Sequence, residues 1–521
     1  MPDSLVAKWL VRPLAVASVG TVSASGGLPT SVGTSTSTTN PAPVALKPMK
    51  LGMNLAPPTY YATHTVFMNL AADSGWQVTP AGGGSTDSYF DANRNVIKYL
   101  PGDTVSRALM RPSAYYQKKS VDVTCKWDGV GTLYVLKVGI VNLVMGTNSM
   151  RYTQLYDGVE GGRSSIYLQS VDPTNPLRNL DCREAGASPT ALFDPVYLAN
   201  VKRYSTIRFM DWQNINANLP TTWAKRTTPA MGQIMGADGM PIEYMIALAN
   251  QTHTNPWFCM PWNADDDYIR RFAQLVRDTL DPDLKVYVET SNEVWNWGFP
   301  VTTQAQQEGL QRGLTGDGQV AVWLRYAEKT IQVMDIWKQE FAGQNARLVR
   351  VAASLNAWSM PIQKILEFRD TPQHIDAVAS APYFEYDVST ITASTDLASV
   401  FSTLKTTLDA RLDQAKAFKQ LADQYNLRFI TYEGGQHMSN VPNDNRVQIL
   451  SNIEHDPRMG QLYTHYMTRW NNEVGDLMML FNDYGVVSRF GAWGMLDHMG
   501  QAANSTPKSK AAMLFQASLS K

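Results

Sequence analysis

Two glutamates stand in matching surroundings. Glu293 lies in VYVETSNEVWNWGF, directly after Asn292 and just before Trp295 and Trp297, and Glu433 lies in RFITYEGGQH, followed by two glycines. Each closes a short apolar run, so each falls where a strand gives way to a loop. Cleavage of a glycosidic bond needs one carboxyl group to protonate the departing oxygen and another to meet the positive charge developing at the anomeric carbon. A lone glutamate at a strand end is ordinarily solvated or caps a loop. Two of them in like contexts can face each other across a sugar, and covalent, retaining chemistry asks for a separation of about 5–5.5 Å. The glycines after Glu433 leave the backbone open to a ligand. Glu289 shares strand parity with Glu293 and reads as a buried residue satisfied by a basic partner, with Arg208 the candidate. An esterase with a Ser/His/Asp triad would need a GxSxG elbow, which the sequence lacks.

The elements that must position this pair begin with MKLGMNL (residues 49–55) and resume after Pro189. There TIRFM, PWFCMPW, LKVYVET, RLVRVAA, IDAVASA, RFITYE and DLMMLF alternate with amphipathic stretches such as DDDYIRRFAQLVRDTL and VAVWLRYAEKTIQVMDIWKQEF. Eight such strands separated by helices predict a (β/α)8 barrel. An open doubly wound sheet would favour a phosphate-binding glycine fingerprint after the first strand, and none is present. Residues 59–188 read differently, as short alternating runs (SVDVTCKW, GTLYVLKVGIVNLV, SSIYLQSVD) broken by turn residues. They predict an all-β, sandwich-like domain inserted after the first barrel strand. The expected organisation is a signal-like or disordered tail over 1–47, the first barrel strand in 48–58, the insert over 59–188 and the rest of the barrel over 189–521. Asp265, Asp266 and Asp267 fit a helix cap and first turn.

With Asn292-Glu293 at the end of the fourth strand and TyrGluGlyGly at the end of the seventh, the chain resembles clan A of the glycoside hydrolases, the group that includes family 5. The resemblance spans about 190–521 plus the first strand, and it is specific for the clan rather than for a family. It implies retention of configuration, no metal and no cofactor, with Glu293 as general acid/base and Glu433 as nucleophile. It also implies that Asn292 holds the sugar 2-hydroxyl, that Tyr383 supplies an aromatic hydroxyl beside the nucleophile, and that Arg208 keeps the nucleophile ionised. Trp493 is either an indole platform below the reacting sugar or a core residue. His437 either contacts substrate or is a structural histidine. Asp211 follows the second strand and lines the cleft, and Trp297 joins the substrate-binding candidates through its place beside Glu293.

The bulk numbers agree with a neutral ligand. With 45 basic and 46 acidic residues in 521 the formal net charge is −1, which excludes the footprint of a nucleic-acid or anionic-membrane binder. The 14 Trp and 23 Tyr suit the faces of sugar rings. The three cysteines have no metal-like spacing; Cys125 and Cys182 either pair within the β domain or stay as two buried thiols. Lys8 and Arg12 precede a weakly apolar stretch with small residues, which favours export to a secreted or periplasmic location over an unprocessed tail. No later segment reads as a membrane span. The expected partner is a β-linked polysaccharide or oligosaccharide; the alternative is a non-catalytic carbohydrate-binding or cell-surface protein on the same barrel. Oligomeric state has no sequence signal.

Overall fold

In the computed structural model, β1 (Lys50–Asn54) is followed by eight short strands that leave the parallel pattern: β2 (Gln77–Thr79), β3 (Thr104–Leu109), β4 (Ser120–Asp128), β5 (Gly131–Val135), β6 (Ile140–Gly146), β7 (Ser149–Leu155), β8 (Ser164–Val171) and β9 (Arg178–Glu184). Regular β/α alternation then supplies β10 (Thr206–Arg208), β11 (Asn255–Met260), β12 (Val286–Thr290), β13 (Leu348–Ala353), β14 (Ala377–Ser380), β15 (Arg428–Thr431) and β16 (Leu477–Leu480). The structure describes residues 46–59, 61–109, 111, 120–136, 139–156, 164–232, 236–441 and 444–519, so the expected N-terminal tail lies outside the described residues except for its last two positions.

The eight strands β1 and β10–β16 form one parallel sheet in the order β15-β14-β13-β12-β11-β10-β1-β16. The ring closes between β15 and β16 through a side chain. The Met479 amide donates to the Thr431 hydroxyl at 2.6 Å, and just above it the Phe481 amide donates to the Gly434 carbonyl at 3.0 Å. This is the (β/α)8 barrel that the strand pattern predicts. Its strands are buried on both faces, as in β13, where all six residues are buried, and this is why they read as unbroken apolar runs. Trp257 stacked on Tyr287 at 5.3 Å, with Val351, Ala377 and Met479, fills the interior. Gly52 leaves room for Met479, because a Cβ there would meet its sulfur at 2.1 Å and push the side chain aside. Most strands stop one or two residues short of the apolar run. The run from Thr206 to Met210, for example, ends as a ladder at Arg208, and the Gln213 amide then turns back to the Phe209 carbonyl.

Helices pack outside, capped by aspartates. Asp265 accepts from the Tyr268 amide at 2.7 Å, and Asp317 and Asp396 cap the helices Gly318–Glu340 and Leu397–Gln424. Strands β2–β9 make two antiparallel sheets, β2-β3-β8-β5 and β6-β7-β4-β9. β4 alternates buried and exposed residues, the pattern of a strand with one face on a core and one in water. Cys125 and Cys182 face each other across β4 and β9 and form a disulfide, while Cys259 is a free thiol buried in the barrel. Where this module meets the barrel, Arg111 pairs with Glu184 at 2.8 Å and with Asp194 at 2.7 Å.

Candidate active site

The carboxyl ends of β10, β12 and β15 bring Arg208, the 291–299 loop and the Tyr432–Glu433 pair to one mouth. Arg208 is 0% exposed, and five hydrogen bonds to four acceptor atoms account for every N–H it carries. Its Nε and Nη2 donate to Glu289 Oε2 at 3.0 and 2.8 Å. Nη1 donates to Glu433 Oε1 at 2.7 Å and to Asn54 Oδ1 at 3.0 Å, and Nη2 donates also to Asn292 Oδ1 at 2.8 Å. A guanidinium buried this deeply requires compensation by charge, and Glu289 and Glu433 provide it. Glu289 lies on the barrel axis side, as strand parity anticipates, and also accepts from the Trp257 indole at 3.0 Å.

Glu433 takes its second donor from Tyr383, whose hydroxyl reaches Oε2 at 2.9 Å. Burial raises its pKa above the usual carboxylate value, and Arg208 and Tyr383 offset only part of that rise. Glu293 has a different environment. Its backbone sits at φ +40°, with Ser291 at +58°, a left-handed conformation that few non-glycine residues adopt. The turn is fixed by the Ser291 amide on the Met260 carbonyl at 2.8 Å and by the Asn296 amide on the Glu293 carbonyl at 2.7 Å. The Glu293 carboxyl accepts from the Tyr432 hydroxyl at 3.0 Å and from the Asn296 side-chain amide at 2.8 Å, both neutral donors. Burial, reinforced by the negative charge of Glu433, pushes its pKa up to about 8. The two carboxyl groups thus titrate as an interacting pair with unequal partners.

The remaining candidates surround this pair. Asn292 is buried and spends its amide on Asn216 Oδ1 at 2.9 Å. Asp211, just beyond β10, is raised to about 7 by burial and by Glu433. Tyr383, His437, Phe481 and Trp493 form one aromatic group: His437 lies 5.3 Å from Tyr383 and 5.7 Å from Trp493, and Phe481 stands edge-on to Trp493 at 6.0 Å. Burial lowers the His437 pKa, which favours its neutral form. Trp297 is 48% exposed on the loop after β12, and Trp358, on the loop after β13, is 44% exposed with its ring edge-on to Trp323.

One sequence expectation is corrected. Gly434 and Gly435 do not leave an open backbone for a ligand; both are buried, and a Cβ on either would come 2.6 Å from the hydroxyl of Tyr466 or Tyr463. Their smallness serves packing against the helix Pro457–Glu473. Four site residues escaped the sequence reading: Asn54, Asn216, Asn296 and Tyr432. Only Asn54 left a signal, as a polar residue near the end of an apolar strand; its amide donates to the carbonyls of Tyr432 at 2.9 Å and Leu480 at 3.1 Å, across the barrel seam.

The site thus defined is a barrel-mouth carboxylate pair organised by one buried arginine. Compared with known proteins, the chain matches no family model and no curated sequence. It is similar to solved structures of barrel glycosidases. One is a 4-O-α-L-rhamnosyl-β-D-glucuronidase from Fusarium oxysporum 12S, at 10% identity and TM-score 0.38 over 61% of this chain and 63% of that one. Another is a GH5-4 broad-specificity endoglucanase from Clostridium longisporum, at 12% identity and TM-score 0.36 over 64% and 88%. A third is a family 1 β-glucosidase from Thermotoga maritima, at 11% and 0.34 over 62% and 85%. The chain spans less than two thirds of the first. Likeness at this level carries no argument about this chain, whose chemistry is read from its own side chains.

Proposed function

We propose that this chain is a retaining glycoside hydrolase that cleaves β-linked polysaccharide or oligosaccharide by double displacement. The observation that carries the reading is the unequal solvation of the two carboxyls: a cation and a phenol on Glu433, neutral donors only on Glu293. In the first step the Glu433 carboxylate attacks the anomeric carbon, the glycosidic C–O bond breaks, and Glu293 gives its proton to the departing oxygen. In the second, water gives a proton to Glu293 as its oxygen attacks the same carbon, and Glu433 leaves as carboxylate. Asn292, once a sugar displaces its bond to Asn216, presents its amide to a 2-hydroxyl. Trp493 and His437 provide a floor, Asp211 lines the cleft, and the exposed rings of Trp297 and Trp358 offer stacking surfaces beyond the reacting sugar. None of these steps draws on a metal or cofactor. The Cys125–Cys182 disulfide suits an oxidising compartment, in keeping with export.

The test is product release from a panel of soluble β-glucans, mannans, xylans and bacterial exopolysaccharides, with the parent protein beside Glu293→Gln and Glu433→Gln. The expected result is hydrolysis of at least one glycan and a fall of on the order of 10³-fold or more in each variant. Hydrolysis that survives both substitutions would sink the two-carboxylate assignment.

A further inference from the structure

Tyr432 precedes one glutamate in the chain and bonds the other through its hydroxyl. It is 0% exposed, and the Arg208 guanidinium carbon lies 5.3 Å from the centre of its ring. Its carbonyl accepts from Asn54, which in turn accepts from Arg208, and its backbone leads directly into Glu433. Its hydroxyl points the other way, to Glu293 Oε1 at 3.0 Å. Arg208 spends its N–H groups on Glu289, Glu433, Asn54 and Asn292, and the donor that Glu293 receives here is the neutral Tyr432 hydroxyl. The groups that face Glu293 are Glu433 beyond β15, Arg208 at the end of β10, Tyr383 beyond β14, and Asn296 on its own loop.

A single donor to one carboxyl oxygen does two things. It fixes the rotation of the group, and it favours the ionised form over the protonated one. In double displacement Glu293 is ionised only between giving its proton to the leaving group and recovering one from water. Resting on the reading of Glu293 as acid/base, we propose that Tyr432 is a positioning residue that holds Glu293 by Oε1, leaves Oε2 to carry the transferred proton, and stabilises the carboxylate formed after the first step. Oε2 accepts the Asn296 amide at 2.8 Å and retains a lone-pair direction for that proton. Excluding Arg208 from Glu293 matters equally, because a cation bonded there would keep the acid ionised and unable to protonate the leaving oxygen.

Removing the hydroxyl leaves the ring in place, so Tyr432→Phe isolates the bond. The readout is a carboxyl-carbon NMR titration of full-length protein labelled at its glutamates, with the Glu293 resonance identified by its loss in Glu293→Gln. The expected result is a Glu293 midpoint about 0.5 to 1 pH unit higher in Tyr432→Phe than in the parent, the size that loss of one hydrogen bond gives. On any glycan the panel identifies, the alkaline limb of kcat/KM moves up with it and kcat falls about tenfold with KM unchanged. A midpoint that stays where it is in the parent overturns the proposal. Should Tyr432→Phe fail to fold, 3-fluorotyrosine at position 432, a more acidic donor, must lower the midpoint, and an unmoved midpoint again overturns it. The titration uses no substrate, so its failure is distinct from that of the hydrolase reading, which would show as silence across the glycan panel.

Discussion

All five N–H groups of Arg208 are engaged, and none goes to Glu293. Two glutamates that look interchangeable in sequence therefore become different acids. Glu293 holds its proton to about pH 8, chiefly because it is buried and secondly because Glu433 repels its charge. The proposed first step needs Glu293 protonated and Glu433 ionised. Activity should therefore be lost as pH rises through about 8, and lost at the acid end as Glu433 takes up a proton, at a midpoint that burial places above the ordinary carboxylate range. A kcat/KM profile across pH 4 to 10 checks this; an alkaline limb near pH 5 would mean that Glu293 does not serve as the acid. The pair itself was legible because each glutamate follows an apolar strand. Tyr432, Asn296 and Asn216 were not, because their importance comes only from convergence in space, and a Tyr next to a strand end looks like any other core ring.

At the scale of elements, legibility followed burial. Barrel strands covered on both faces stand out as continuous apolar runs, and β4 of the smaller module shows the alternation of a half-covered sheet. Strand ends were read too long because apolar residues continue past the last ladder bond into packed loops. Gly434 and Gly435 were misread because a glycine forced by a neighbour's bulk has the same spelling as one that admits a ligand. The cysteines were ambiguous for a related reason: alternation puts Cys125 on the inner face of β4, but pairing with Cys182 depends on the register of β9. Reading that register now gives a prediction. Replacing both cysteines with alanine should destabilise the β module by about 2–4 kcal/mol, as expected for opening a loop of 57 residues. Urea unfolding with and without reductant measures it, and a double variant as stable as the oxidised parent would show that the crosslink contributes nothing.

The whole molecule joins a barrel to a second, all-β module through charge at Arg111, Glu184 and Asp194. The barrel supplies fixed ends of β10, β12 and β15 on which a few polar side chains are held by one another rather than by water. Such preorganisation is what covalent displacement at an anomeric carbon demands, and it leads to one decisive measurement. Glu293→Gln, quenched in acid during turnover of a dinitrophenyl glycoside of whichever sugar the panel identifies, whose leaving group departs without a proton, is digested and its peptides are weighed. The account predicts a glycosyl adduct on the peptide that contains Glu433, at Glu433 itself. An adduct on another residue, or free product whose first anomer has the inverted configuration, would contradict it.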